Sequence, residues 1–84
     1  MEIVFHSHFK KRLKKLPEKV RNNLSERLEI FTENKFNEIL NNHSVEGAYP
    51  NCRSINITGD YRAIYEEKDG GIIFRLIGTH SELY

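Results

Sequence analysis

The sequence predicts an α+β fold in which two N-terminal helices pack on one face of a small, mostly antiparallel four-stranded sheet. Three observations carry this. Apolar residues recur at helical spacing from Phe9 to Phe31, residues alternate with a period of two from Ser54 to Glu66, and Asp69-Gly70-Gly71 separates two strand-like runs. Eighty-four residues are expected to form a single domain spanning 1-84, with a small core and correspondingly modest stability.

Each element has its own signal. Glu2 to Phe5 reads as a short strand, because Ile3, Val4 and Phe5 suit a pleated, half-buried surface. Ser7 is the expected N-cap of the first helix, in which Phe9, Leu13 and Leu16 form the apolar face and the lysines between them face water. Pro17 ends that helix and opens a second, since the first helical turn has no use for its missing N–H. Val20, Leu24, Leu28 and Phe31 then make one apolar stripe over about four turns. From Asn34 to Asn42 the signal weakens, and Phe36, Ile39 and Leu40 are expected to anchor a short helical turn before an Asn-Asn-His-Ser loop. From Tyr49 the period becomes two. Ile55 and Ile57 alternate with polar residues, Gly59 turns the chain, and Tyr61, Ala63 and Tyr65 alternate with Arg62, Ile64 and Glu66. Asp69-Gly70-Gly71 is a primed hairpin turn, and Ile72 to Ile77 is a central strand, apolar on both faces apart from Arg75.

Composition narrows the function classes. No apolar run approaches the roughly 20 residues of a membrane span, and Met1 to Phe9 lacks the apolar segment of a secretory signal. A cytoplasmic protein is expected, and the single Cys52, which has no internal partner for a disulfide, agrees with a reducing compartment. Cys52 reads as a small strand residue. The net charge of +1 conceals an asymmetry: residues 6 to 21 hold seven bases (Lys10, Lys11, Arg12, Lys14, Lys15, Lys19, Arg21) against Glu18, whereas residues 43 to 84 hold four bases and six acids. Such a cluster attracts a phosphate backbone without specifying sequence. His6-Ser7-His8 offers two metal donors with no third nearby, so no metal is expected, and no glycine loop cradles a phosphate.

The strings Gly59-Asp60-Tyr61-Arg62-Ala63-Ile64-Tyr65 and Gly78-Thr79-His80-Ser81-Glu82-Leu83-Tyr84 resemble the RelE/ParE superfamily of toxin–antitoxin toxins, and most closely its YafQ-type ribosome-dependent mRNA endonucleases. The resemblance implies a RelE-like microbial ribonuclease fold and a type II toxin that cuts mRNA in the ribosomal A site without cofactor. It also implies a cognate antitoxin partner and contact with operator DNA only through that antitoxin. Carried over residue by residue, the loop histidine of this branch falls on His43, its acidic residue on Asp60, the neighbouring aromatic on Tyr61, its C-terminal histidine on His80 and its terminal aromatic on Tyr84. One position departs. Where the branch places a further histidine, this chain has Asn56, which cannot exchange a proton near neutral pH.

The residues themselves suit the chemistry. RNA carries its own nucleophile, the 2′-OH, so a protein has to align the phosphodiester, remove the 2′ proton, stabilise the phosphate and protonate the 5′-oxygen. Histidine serves both proton steps, with a reference pKa of about 6.5, and His43 and His80 are placed to face each other across the sheet. Asp60 either orients a histidine or bonds its own backbone in the turn. Arg53 and Arg62 are candidates to grip the phosphate, although Arg62 also stands where it would pair with Glu66. Tyr61 and Tyr84 are candidates to stack on a base, while Tyr65 reads as core. Lys10, Lys11, Lys14 and Lys15 would hold the RNA or the ribosome. Two other functions remain open: a ParE-like toxin that inhibits DNA gyrase and cuts nothing, and an inactive antitoxin-binding module, which Asn56 keeps in play.

Overall fold

The computed structural model describes residues 2–84. Strand β1 (Ile3–Phe5) leads into helices α1 (Ser7–Leu13) and α2 (Glu18–Glu33), followed by a 3-10 turn over Glu38–Leu40. Strands β2 (His43–Ser44), β3 (Cys52–Asn56), β4 (Tyr61–Lys68) and β5 (Gly71–Thr79) follow, then a final turn of helix, α3 (His80–Leu83). The sheet order is β1-β5-β4-β3-β2. All neighbours are antiparallel except β1 and β5, which run parallel with Ile3 beside Ile72 and Phe5 beside Phe74.

The sheet has five strands rather than four. The extra strand lies in the Asn-Asn-His-Ser segment read as a loop: His43 and Ser44 pair with Ser54 and Arg53, a ladder too short to leave a periodic signal. The cap of α1 is also displaced by one residue. His6, not Ser7, holds the extended N-cap conformation, and its Nδ1 accepts the His8 N–H at 3.1 Å, the role a serine oxygen would fill. Of the three apolar residues expected to anchor the 3-10 turn, only Leu40 is buried. Phe36 and Ile39 stay exposed, because a three-residue turn presents one side to the core and that side is taken by Leu40. β3 starts at Cys52, not Tyr49. Residues 45–51 instead form tight turns with Tyr49 N–H bonded to the Val45 carbonyl and Asn51 at φ 66°.

The main core lies between the helices and the sheet. Phe74 is its hub, with ring centroids of Phe5, Phe9, Phe31 and Tyr65 at 5.4 to 5.8 Å. Val20, Leu24 and Phe31 supply the α2 stripe as read from the sequence, and Leu28 lies half-buried beside them. The turn at Asp69 (φ 53°) and Gly70 (φ 78°) is left-handed at both positions, as a primed hairpin needs. An irregularity in the β4–β5 ladder decides which residues reach the other face. Ile64 pairs with Leu76 but Tyr65 pairs with Phe74, so Arg75 is an extra residue in β5. Beyond this bulge the alternation inverts. Ile72, Phe74 and Ile77 all reach the helix side, while Arg75 and Leu76 go to the opposite, open face. A small second cluster of Cys52, Ile64 and Leu83, with Val45, Tyr49 and Leu76, covers part of that face.

Candidate active site

The end of the sheet where β4 begins and β5 ends carries the candidate site. Tyr61 pairs with Thr79, and the next N–H, that of His80, donates to the Asp60 carbonyl at 3.0 Å. Asp60 and His80 are thereby fixed side by side through the backbone, and both side chains are exposed. Asp60 N–H donates in turn to Thr58 Oγ1 at 3.2 Å, so the threonine, not the aspartate, closes the loop.

His80 opens α3, and Tyr84 follows it by one helical turn. Tyr84 N–H donates to the His80 carbonyl at 3.0 Å, and the two rings lie 4.8 Å apart. Three interactions secure this short helix. Thr79 and Glu82 form a reciprocal capping box, Arg12 of α1 donates to Glu82 at 3.1 Å, and Tyr49 OH donates to the Leu83 carbonyl. The backbone and side-chain bonds from Thr79, together with Arg12, hold the Glu82 carboxyl below its usual value of 4.5. Tyr49 also meets Tyr84 edge-on with centroids 6.0 Å apart, so His80, Tyr84 and Tyr49 form a row of rings.

On the open face, register groups further residues. Asn56, Arg62 and Gly78 stand opposite one another in the row before His80. Asn56 Oδ1 is buried with no hydrogen-bond partner among the described residues, as is Ser54 Oγ two positions earlier. Arg62 does not pair with Glu66, whose carboxylate is held by Arg75 across the bulge. Its Nη1 instead donates to the carbonyls of Thr58, Gly59 and Tyr61 at 3.1 to 3.2 Å, tying the loop that presents Asp60. His43 opposes Ser54 and so shares this face, but it sits on the edge strand, with β3 and β4 between it and β5. Its Nδ1 lies 2.8 Å from the Asn41 carbonyl. A carbonyl only accepts, so Nδ1 carries the proton and Nε2 of the neutral ring is an acceptor.

Six expected site residues lie elsewhere. Arg53 points to the helix side, because it opposes Tyr65; its Nε donates to Asn42 Oδ1 at 2.7 Å and its guanidinium lies over the Phe36 ring at 5.4 Å. Asn42 in turn donates to Tyr65 OH, whose phenol is pushed up by burial, so this arginine completes a structural network. Tyr61 also turns to the helix side. It lines a cavity of about 490 Å³ with His8, Lys11, Arg12, Lys15 and Glu82, apart from Tyr84 on the other face. Lys11 and Lys15 therefore meet at that cavity, while Lys10 and Lys14 lie exposed on α1 and its C-cap. The buried Cys52 thiol is pushed up chiefly by desolvation, which suits an inert strand residue. Tyr49 and Glu82, which brace α3, carried no advance signal beyond the capping pattern Thr79-x-x-Glu82.

The helix-backed, mostly antiparallel sheet is the fold expected of a toxin of the RelE/ParE superfamily. Residues 1–84 match the family described as the bacterial toxin of type II toxin–antitoxin system, YafQ, and the chain belongs to that family. No curated protein matches it significantly in sequence. Among solved structures, YafQ from E. coli strain BL21(DE3) is similar at 20% identity and TM-score 0.82, with 99% of this chain and 97% of that chain covered. YafQ in the E. coli DinJ–YafQ toxin–antitoxin complex superposes with TM-score 0.80 at 21% identity, covering 99% and 96%. The RelB–RelE antitoxin–toxin complex from Methanococcus jannaschii gives 0.77 at 27% identity, covering 96% and 94%. Among the described residues no helix is long and apolar enough to cross a membrane.

Proposed function

We propose that this toxin is an endoribonuclease that cuts mRNA in the ribosomal A site by metal-free acid–base chemistry. The observation that carries the reading is the pair His80 and Tyr84, exposed and braced beside Asp60 at the end of the sheet. In this mechanism Tyr84 stacks on an unpaired base and so orients the adjoining phosphodiester. One side chain of the site removes the 2′ proton; the 2′-oxygen attacks phosphorus, and the 5′-oxygen leaves with a proton from a second group, His80 serving one of these two steps. Products are a 2′,3′-cyclic phosphate and a 5′-hydroxyl. Asp60 is held beside His80 by the backbone, and Arg62, bonded to the loop that presents Asp60, supplies positive charge for the phosphate.

The partner proposed for the basic surface is a cognate antitoxin, as in the DinJ–YafQ and RelB–RelE complexes of its structural relatives. A protein-free RNA would be cut poorly, since the ribosome supplies the alignment of the A-site codon. The test is a purified translation system with mapping of new mRNA 5′ ends. His80→Gln keeps hydrogen bonding but cannot titrate, and a proton-transfer group contributes about 10²- to 10⁴-fold. Cleavage by His80→Gln at near the parental rate removes His80 from the chemistry. Intact mRNA with the parent chain, accompanied by DNA-damage signalling in cells, would favour gyrase inhibition instead.

A further inference from the structure

A second cavity, about 340 Å³, lies on the open face, bordered by the start of α1 and within the usual range for small-ligand sites. Its floor is apolar, made by Ile64 and Leu76, which oppose each other on β4 and β5. One wall is Tyr49. The other is the pair His6 and His8, whose rings stack nearly parallel, 5.1 Å apart with an interplanar angle of 7°. Arg75 stands at the rim, its guanidinium fixed by Glu66. Tyr49 is also the end of the ring row that runs through Tyr84 to His80, so the cavity opens directly beside the candidate active site.

We infer that this cavity is a nucleobase subsite, which seats a base of the RNA adjoining the one held by Tyr84. The inference rests on the endoribonuclease reading above. The chemistry of the walls is what selects the occupant. A nucleobase has two apolar π-faces and a polar edge, and the cavity pairs an apolar floor and aromatic walls with imidazole and guanidinium N–H groups at its rim. Glu66, beside the rim, is paired with Arg75, which reduces the negative charge that the flanking phosphates would meet. His6 and His8 have no part in the proton-transfer steps, and only His6 has a structural task, the capping of α1.

The subsite determines which nucleotide is accepted, and not the rate of bond breaking. Two substitutions isolate it. His8→Ala removes an exposed ring but keeps the backbone N–H used in the cap, and His6→Asn removes the other ring while keeping a capping acceptor. In the purified translation system, with mRNAs offering every A-site codon, each variant is expected to keep cutting while preference at one codon position falls about tenfold, the scale of one lost base–aromatic stack. A codon spectrum and kcat/KM identical to the parent's in both variants would overturn the subsite while leaving the nuclease reading intact. So would unchanged cleavage accompanied by lost antitoxin affinity, which would assign the cavity to the antitoxin. Titration of the parent chain with single-stranded trinucleotides, followed by the imidazole Hε1 resonances of His6 and His8, provides a readout independent of cleavage. Saturable shifts at both rings support the subsite even if no mRNA is cut; shifts confined to other residues overturn it.

Discussion

At position 56 a polar side chain stands with its oxygen buried and unpaired among the described residues, in the row that runs through Arg62 to Gly78. An unsatisfied buried acceptor costs about 1 to 3 kcal/mol, a penalty that a substrate hydroxyl seated there would relieve. Under the endoribonuclease reading, Asn56 is proposed to hold the ribose without moving a proton. Two outcomes follow for cleavage in the translation system. Asn56→Ala should raise KM more than it lowers kcat, and Asn56→His should raise kcat by supplying a third histidine. Equal losses in kcat for both variants would show that the amide matters through the fold alone. Arg53 illustrates the opposite case. It looked like a phosphate ligand, yet Arg53→Ala should leave the cleavage pattern intact while lowering stability, since it removes the partner of Asn42 and the cover of Phe36.

Among the elements, α3 carries the proposed pair His80 and Tyr84, and a helix this short does not hold itself together. Its capping box includes a carboxylate with a depressed pKa, and the sign of the linkage is set by that direction. Glu82 binds its proton less tightly in the folded chain than in the unfolded one, so its contribution is fully present above about pH 4.5 and is lost as pH falls through the lower folded value. Glu82→Gln should accordingly destabilise the chain at pH 7 and flatten the acid limb of a pH–stability curve measured by circular dichroism. An acid limb unchanged by the substitution would mean that the cap is already frayed at neutral pH. In the core, Phe74→Ala removes the ring about which four others pack, and about 3 to 5 kcal/mol is the expected loss. A fall in Tm of only a few degrees would show that Phe31 and Phe9 collapse into the space. These elements differ in how far the sequence revealed them. The α2 stripe and the Asp69-Gly70 turn were legible because each repeats a local rule over its whole length. The β2 pairing and the bulge at Arg75 were not, because both depend on a partner strand that local periodicity does not describe. The split fate of the expected site needs only the regular registers of β2, β3 and β4. His43, Arg62 and Asn56 share the open face, whereas Tyr61 and Arg53 fall on the helix side by simple alternation.

Across the whole molecule, charge is divided between the two layers. The lysines of α1 lie on the helix side, where Lys11 and Lys15 border a cavity with Tyr61, while the candidate chemistry lies at the end of the sheet. Reversing charge at Lys11, Lys14 and Lys15 together should weaken ribosome or RNA binding and flatten its salt dependence, with the cut sites unchanged. A salt slope that stays the same would leave the cluster a role in solubility alone. The parallel pairing of β1 with β5 sets a further condition, on the order of events during synthesis. Ile3 leaves the ribosome early, but its partner Ile72 is made 69 residues later, and His80 later still. At translation rates of about 5 to 20 residues per second, the first strand waits about 3 to 14 s without its neighbour. Neither the aromatic hub around Phe74 nor the turn that carries His80 exists during that interval. A nascent copy thus carries no assembled site until its last strand closes the sheet.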